Sequence, residues 1–160
     1  SKYSGRITLF VIPFTETQER IKDDCPEEIF TVIMRRMMMR VAQIVAAKQG
    51  AGALITGESV GQVASQTMPA IACTDKVCEI PVFRPLIGMD KDEVVAISRK
   101  IDTFDISILP YEDCCTVFTP KHPKTRPTVD YVEACEKALD IDRLVSEAVE
   151  GARTVYINAY

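Results

Sequence analysis

The sequence has no long hydrophobic run, no excess of positive charge and few residues that interrupt regular structure. No apolar stretch approaches the ~20 residues that a membrane-spanning helix needs, and residues 1–14 lack the pattern of a signal peptide. The 160 residues include only 7 Gly and 9 Pro, far from collagen-like or low-complexity chains. These absences predict a soluble, cytoplasmic, globular protein without a membrane partner.

Acidic and basic residues nearly balance. The chain has 19 Lys and Arg against 23 Asp and Glu, which gives a net charge of −4. A nucleic-acid partner would therefore need a local basic patch, because the overall charge does not attract a polyanion. The segment Lys-His-Pro-Lys-Thr-Arg at residues 121–126 is such a patch and slightly favours RNA.

The cysteines are too few and too irregularly spaced for a disulfide-stapled module, so reduced thiols are expected. The six are Cys25, Cys73, Cys78, Cys114, Cys115 and Cys135. Cys73 and Cys78 have a C-x₄-C spacing, but no second Cys or His pair completes a zinc site nearby, and no metal centre is predicted.

Short apolar segments alternate with segments of helical periodicity. This alternation predicts an α/β fold with a mostly parallel sheet flanked by helices, in which ligands bind at the carboxyl ends of the strands. A C-terminal helical segment follows. The predicted strands are 6–14, 53–56 and 81–83. The predicted helices are 26–48, 60–68, 128–139 and 140–149. A further helix is predicted to begin at the capping-box pair Asp90 and Glu93.

Two features admit both a structural and a functional interpretation. The glycines of G-E-S-V-G-Q at residues 57–62 lie between a predicted strand and helix, but their spacing matches neither common phosphate-binding motif. A tight turn and a ligand-binding loop both remain open. Arg35 and Arg36 lie in an otherwise apolar helix, so one of the two must point near its buried face. A phosphate partner, or a side chain that extends to solvent, would explain that arginine.

Cys114 and Cys115 are adjacent thiols in an irregular segment with four prolines, residues 107–127. Nearby basic residues could lower a thiol pKa, whereas Glu112 and Asp113 would oppose this. A reactive and an inert thiol are equally compatible with the local sequence.

Four segments together resemble the ThiI-type tRNA sulfurtransferases, members of the PP-loop ATPases. They are C-P-E-E-I-F-T-V-I-M-R-R-M-M, I-T-G-E-S-V-G-Q-V-A-S-Q-T, F-R-P-L-I-G-M-D-K-D-E and S-I-L-P-Y-E-D-C-C-T-V-F-T-P-K-H-P-K-T-R-P. The resemblance implies ATP-dependent adenylation of a tRNA uridine and insertion of persulfide sulfur to give 4-thiouridine, together with sulfur transfer for thiamine thiazole synthesis.

The resemblance also implies roles for individual residues. Arg35, Gly57 and Gln66 match positions that contact ATP in the family, and Cys115, with Cys114 as the substitute, matches the thiol that works with a persulfide. ATP and Mg²⁺ are the implied cofactors. A tRNA and a cysteine desulfurase that donates the persulfide are the implied partners.

The chain departs from the family because it has no S-G-G-x-D-S phosphate-binding sequence. We therefore expect residues 1–127 to be the C-terminal part of a PP-loop domain and residues 128–160 to be a C-terminal helical extension. Such a part is expected to be inactive alone, and a gap in its sheet would favour a homodimer. A small-molecule PP-loop or thiocarboxylate-forming enzyme, or a non-catalytic nucleotide-binding or assembly module, remain alternatives.

Overall fold

A computed structural model describes residues 5–111, 118 and 120–158, and this part contains seven α-helices and four strands. None of these helices is long and apolar enough to cross a membrane. In chain order the elements are β1 (Ile7–Val11), α1 (Thr15–Asp24), α2 (Phe30–Lys48), β2 (Leu54–Ile55), α3 (Met68–Asp75), β3 (Val82–Phe83), α4 (Lys91–Lys100), α5 (Phe104–Ser107), α6 (Val129–Glu136), α7 (Ile141–Glu150) and β4 (Arg153–Ile157). Short 3₁₀ turns lie at Glu27–Ile29 and Ala64–Gln66.

Helix α2 is the centre of the hydrophobic core. Helices α1, α3, α6 and α7 all pack against it, so buried side chains occur around most of its circumference. Each large aliphatic side chain that it buries stabilises the fold by roughly 1.5–3 kcal/mol. The predicted helix over 26–48 is confirmed, with its first turn in 3₁₀ geometry.

The two predicted C-terminal helices are confirmed as α6 and α7. Helix α7 buries one face, formed by Leu144, Val145, Ala148 and Val149. It ends at Gly151, where a Cβ atom would lie 2.6 Å from the Pro13 side chain. Only glycine permits this close approach, which brings the chain back alongside β1.

The α/β class is confirmed, but the described strands do not form one mostly parallel sheet. Strands β2 and β3 pair in parallel, with Leu54 opposite Val82. Strand β1 instead pairs antiparallel with β4, which the sequence analysis did not predict. The two pairs are separate sheets, and residues 128–160 therefore contain a strand as well as helices.

Strand β1 is not buried, contrary to the expectation for a strand of a parallel sheet. Leu9 is 45% exposed and Val11 is 39% exposed. A strand is buried when neighbours cover both of its edges and both faces. In the described part of the chain, β4 is the one strand that pairs with β1.

The prediction of a helix over 60–68 is wrong, because α3 spans Met68–Asp75 and shares only Met68 with that range. Helix α3 starts at Met68, because the Thr67 hydroxyl accepts a hydrogen bond from the Ala70 amide at 3.3 Å and Pro69 is tolerated in the first turn. Residues 60–63 belong to the preceding loop instead.

Arg36 is buried in a salt-bridge cluster with Glu136 and Arg40. Its Nε and Nη2 donate to the two carboxylate oxygens of Glu136 at 2.8 Å each, and its Nη1 donates to the Cys73 carbonyl at 2.6 Å. Arg40 donates to the same carboxylate at 2.8 and 2.9 Å. Neither a phosphate nor extension to solvent therefore explains Arg36, which is 1% exposed.

We predict that Glu136→Ala lowers the free energy of unfolding by about 3–5 kcal/mol, because it leaves the buried Arg36 guanidinium without its counterion. Urea unfolding followed by circular dichroism measures this change. Glu147→Ala is the control, since Glu147 pairs with Arg143 at the exposed surface and its loss should cost under about 1 kcal/mol. Equal effects of the two substitutions would contradict the prediction.

Candidate functional site

The carboxyl ends of β2 and β3 lie side by side and lead into the polar residues of the candidate site. The Thr56 amide donates to the Phe83 carbonyl at 3.0 Å, which extends the pairing beyond β2. The chain then continues into Gly57 and Glu58 after β2, and into Arg84 after β3. Ligands of α/β proteins bind preferentially at this end of a parallel sheet.

Glu58 is the centre of this edge and is 2% exposed. Its Oε2 accepts a hydrogen bond from the Thr56 hydroxyl at 2.7 Å and one from Arg84 Nε at 2.6 Å. Its Oε1 forms an ion pair with Nη2 of Arg35 on helix α2. Two arginines from different elements therefore converge on one buried carboxylate.

The surroundings of Glu58 keep it ionised. Burial alone would raise the pKa of this carboxyl group, but the Thr56 hydroxyl, Arg35 and Arg84 together outweigh burial, and the pKa is lowered from its ordinary value of 4.5. Hydrogen bonds and cations that favour the charged form of a carboxyl group lower its pKa in this way.

The two arginines differ in how completely they are satisfied. Arg84 donates through Nε to Glu58. It also donates through Nη1 to the Asp75 carboxylate at 3.3 Å and through Nη2 to the other oxygen of Asp75. Arg35 is bound through Nη2 alone among the described residues, and its Nε is buried without a hydrogen-bond partner. Buried unpaired donors are unusual in folded proteins, so the side chain of Arg35 has capacity for a further acceptor.

Gln66 closes the loop that follows Glu58. Its side-chain oxygen accepts from the Ser59 amide at 3.1 Å, and its backbone carbonyl accepts from the Gly61 amide at 3.0 Å. Gly61 has φ +80°, a left-handed conformation that favours glycine. The loop is also tied to the segment after β3, because the Ser59 hydroxyl donates to the Met89 carbonyl at 2.6 Å.

Gly57 faces open space. A Cβ atom at this position would meet no atom within 4 Å, and the backbone does not adopt a positive φ. Neither packing nor conformation of the described chain therefore requires glycine here. Its lack of a side chain leaves room for a ligand to approach the backbone closely.

The structure thus brings Arg35, Gly57 and Gln66 together at one loop: Arg35 through Glu58, which follows Gly57, and Gln66 through Ser59. Cys114 and Cys115 lie outside the described residues. Glu58 and Arg84 were not predicted from the sequence. The available signal was their position, since each comes within three residues of the end of a predicted strand.

The basic segment 121–126 is anchored to the 3₁₀ turn that precedes α2. The Lys124 ammonium pairs with Glu28 at 3.0 Å, and the Lys121 amide donates to the Glu27 carboxylate at 2.9 Å. Lys121, His122 and Arg126 remain exposed. One of the three cationic side chains of this patch is therefore neutralised within the chain, and Lys121 and Arg126 face solvent.

Residues 1–141 match the family described as "Thiamine biosynthesis protein (ThiI)". The chain is 55% identical over 155 residues to a probable tRNA sulfurtransferase of Acetivibrio thermocellus, and this covers 97% of the chain and 40% of the relative. A protein of the same description from Moorella thermoacetica is 54% identical over 148 residues, which covers 92% of the chain and 38% of the relative.

The chain is also similar to a solved structure. It is a crystal structure of a 4-thiouridine synthetase–RNA complex with bound ATP, with a TM-score of 0.90 and 37% identity. The match covers 96% of this chain and 40% of that one. The chain thus spans about two fifths of the length of the relatives that it matches.

We predict that acid weakens the fold through Glu58. Because its pKa is lower in the folded chain than when exposed, its contribution to stability is complete above about pH 4.5 and is lost as the pH falls through the lowered pKa. Chemical unfolding at a series of pH values measures this loss.

The variant Glu58→Gln provides the control. It should be less stable than the unaltered chain at neutral pH, and it should lose less of its remaining stability as the pH falls below about 4.5. Parallel pH profiles of the two proteins would show that Glu58 does not contribute to the acid transition.

Proposed function

The chain belongs to the ThiI family, and we propose that it forms part of a tRNA sulfurtransferase, in which it supplies one side of the ATP site and the cysteines that handle sulfur. The curated relatives are described as probable tRNA sulfurtransferases. The matching solved structure is a 4-thiouridine synthetase with bound ATP and RNA. These descriptions support the same activity for the protein that contains this chain.

The observation that carries the proposal is the convergence of Arg35, Gly57 and Gln66 on one loop at the carboxyl ends of parallel strands. The residues present fit a nucleotide. Arg35 engages Glu58 through Nη2 alone among the described residues, which leaves its Nη1 for an acceptor such as phosphate. The open space at Gly57 admits a ligand close to the backbone. The Gln66 side chain helps to hold the loop that these residues share.

ATP would supply the adenylyl group that activates a uridine of tRNA. Its α-phosphorus would form a bond to uracil O4 as pyrophosphate leaves. The terminal sulfur of a persulfide would then bond to C4, and AMP would leave with O4. A second thiolate would break the sulfur–sulfur bond, which releases 4-thiouridine and leaves a disulfide. We assign the sulfur-handling thiol to Cys115, with Cys114 as the substitute.

The proposed partners follow from this chemistry. A tRNA is the substrate, a cysteine desulfurase supplies the persulfide, and Mg²⁺ accompanies the nucleotide phosphates, which it commonly bridges. The substrate would place the protein in the cytoplasm. We also propose that the protein that contains this chain forms a homodimer.

We predict that Arg35→Ala weakens ATP binding at least tenfold in a full-length protein that carries this chain, since it removes a charge-assisted contact worth about 1.5–3 kcal/mol. Gln66→Ala should weaken binding about fivefold, because the loop then loses the Ser59 hydrogen bond. Isothermal titration calorimetry measures both effects.

The control for this experiment is Gln43→Ala. Gln43 also bridges backbone groups, since it accepts from the Glu79 amide at 3.0 Å and donates to the Val77 carbonyl at 2.9 Å. It contacts a different loop, so its loss should leave ATP affinity unchanged. Unaltered binding by Arg35→Ala, or equal losses in the two glutamine variants, would contradict the site assignment.

We predict that limiting iodoacetamide labels Cys114 or Cys115 before the other cysteines. Burial raises the pKa of Cys25 to about 11 and also raises the pKa of Cys73 and Cys78, so little reactive thiolate forms at these positions. Peptide mapping by mass spectrometry identifies the labelled sites.

The same assignment predicts the behaviour of two serine variants of the full-length protein. Cys115→Ser should abolish 4-thiouridine formation, whereas Cys135→Ser should retain it. A fully active Cys115→Ser enzyme, with Cys114 and Cys115 labelled last, would remove the sulfur-handling role from this pair.

A further inference from the structure

Two buried carboxylates each bind two arginines in this chain, and they leave those arginines in different states. Glu136 takes Nε and Nη2 of Arg36, whose Nη1 donates to the Cys73 carbonyl. Every guanidinium nitrogen of Arg36 is therefore occupied. Glu58 takes only Nη2 of Arg35, and Arg35 Nε is buried without a partner in the described part of the chain.

The carboxylate of Glu58 is itself fixed from behind. Its Oε2 is held by the Thr56 hydroxyl and by Arg84 Nε, while Oε1 is left to Arg35. Arg84 is in turn bound to Asp75, the last residue of α3. The Glu58 carboxylate cannot move together with Arg35 unless its hydrogen bonds to Thr56 and Arg84 break, and these bonds link the ends of β2 and β3 to α3.

We infer that Glu58 is a positioning residue for the nucleotide: it fixes Arg35 through Nη2, while the other terminal nitrogen, Nη1, stays available to a phosphate. The inference rests on the function proposed above, and it deepens that proposal by adding Glu58, with Arg84 and Thr56 behind it, to the ATP site. A long arginine side chain loses considerable rotamer freedom when it binds a ligand. Holding Arg35 beforehand reduces that loss and strengthens binding.

The role of Glu58 differs from that of a simple counterion. A carboxylate that neutralised Arg35 completely would compete with phosphate, and its removal would strengthen ATP binding. A carboxylate that positions Arg35 has the opposite effect, because its removal leaves the arginine free to move. Glu58 engages one guanidinium nitrogen of Arg35, whereas Glu136 engages two guanidinium nitrogens of Arg36. This difference indicates that Glu58 positions Arg35.

A double-mutant cycle tests the inference in a full-length protein that carries this chain. ATP affinity is measured by calorimetry for the unaltered protein, Glu58→Gln, Arg35→Ala and the double variant. We expect Glu58→Gln to weaken ATP binding about tenfold. In the Arg35→Ala background the same substitution should have no further effect, because Glu58 acts through Arg35.

Glu136→Gln is the matched control, because Glu136 is likewise a buried carboxylate that binds two arginines, Arg36 and Arg40. It should destabilise the protein without changing ATP affinity. If Glu58→Gln does not fold, Thr56→Val replaces it. That variant removes one hydrogen bond from Glu58 and should weaken ATP binding about threefold, again only when Arg35 is present.

The outcomes separate the inference from the function on which it rests. ATP binding by the unaltered protein with additive losses in the cycle, or with tighter binding by Glu58→Gln, would overturn the positioning role and leave the ATP site in place. Absence of ATP binding by the unaltered full-length protein would overturn both.

Discussion

Helix α2 can pack at the centre of the core because two buried carboxylates form ion pairs with its three arginines. Arg35, Arg36 and Arg40 lie among apolar residues, and an unpaired charge at such positions would be strongly destabilising. Residues 35 and 36 point about 100° apart on a helix, so they reach different neighbours. Glu136 on α6 binds Arg36 and Arg40, while Glu58 at the end of β2 binds Arg35. One helix therefore joins the C-terminal helices to the candidate site.

Local sequence patterns predicted the features of the fold that depend on neighbouring residues. The end of α2 at Lys48 and the capping box of α4 are examples, and in the latter Asp90 and Glu93 exchange hydrogen bonds at 2.9 Å. Pairings between distant residues were not predictable. Strand β1 pairs with β4 at the other end of the chain, and Arg36 pairs with Glu136, 100 residues away. Such contacts depend on the tertiary arrangement, which periodicity and capping patterns do not describe.

The candidate site was predictable to a different degree for each residue. Arg35, Gly57 and Gln66 were identified through family resemblance, since their local sequence left structural explanations open. Glu58 was missed because a glutamate in a turn is usually exposed to water. Glu58 is distinguished by its burial between two arginines from separate elements. This burial depends on the pairing of β2 with β3, which the local sequence does not predict. A polar residue within three residues of the end of a parallel strand is thus a better indicator than the glycine spacing alone.

The ion pairs around Glu58 and the exposed apolar side chains of β2 and β3 differ in what they need from the rest of the protein. Every partner found for Glu58 is a residue between positions 35 and 84, so the geometry around Arg35 is set within this chain. A site organised before its ligand arrives needs less rearrangement on binding. Ile55 and Phe83 on these strands remain largely exposed, and covering them would require contacts from outside the described residues. The side of the site described here is therefore ordered by its own ion pairs, whereas burial of its strands depends on further polypeptide.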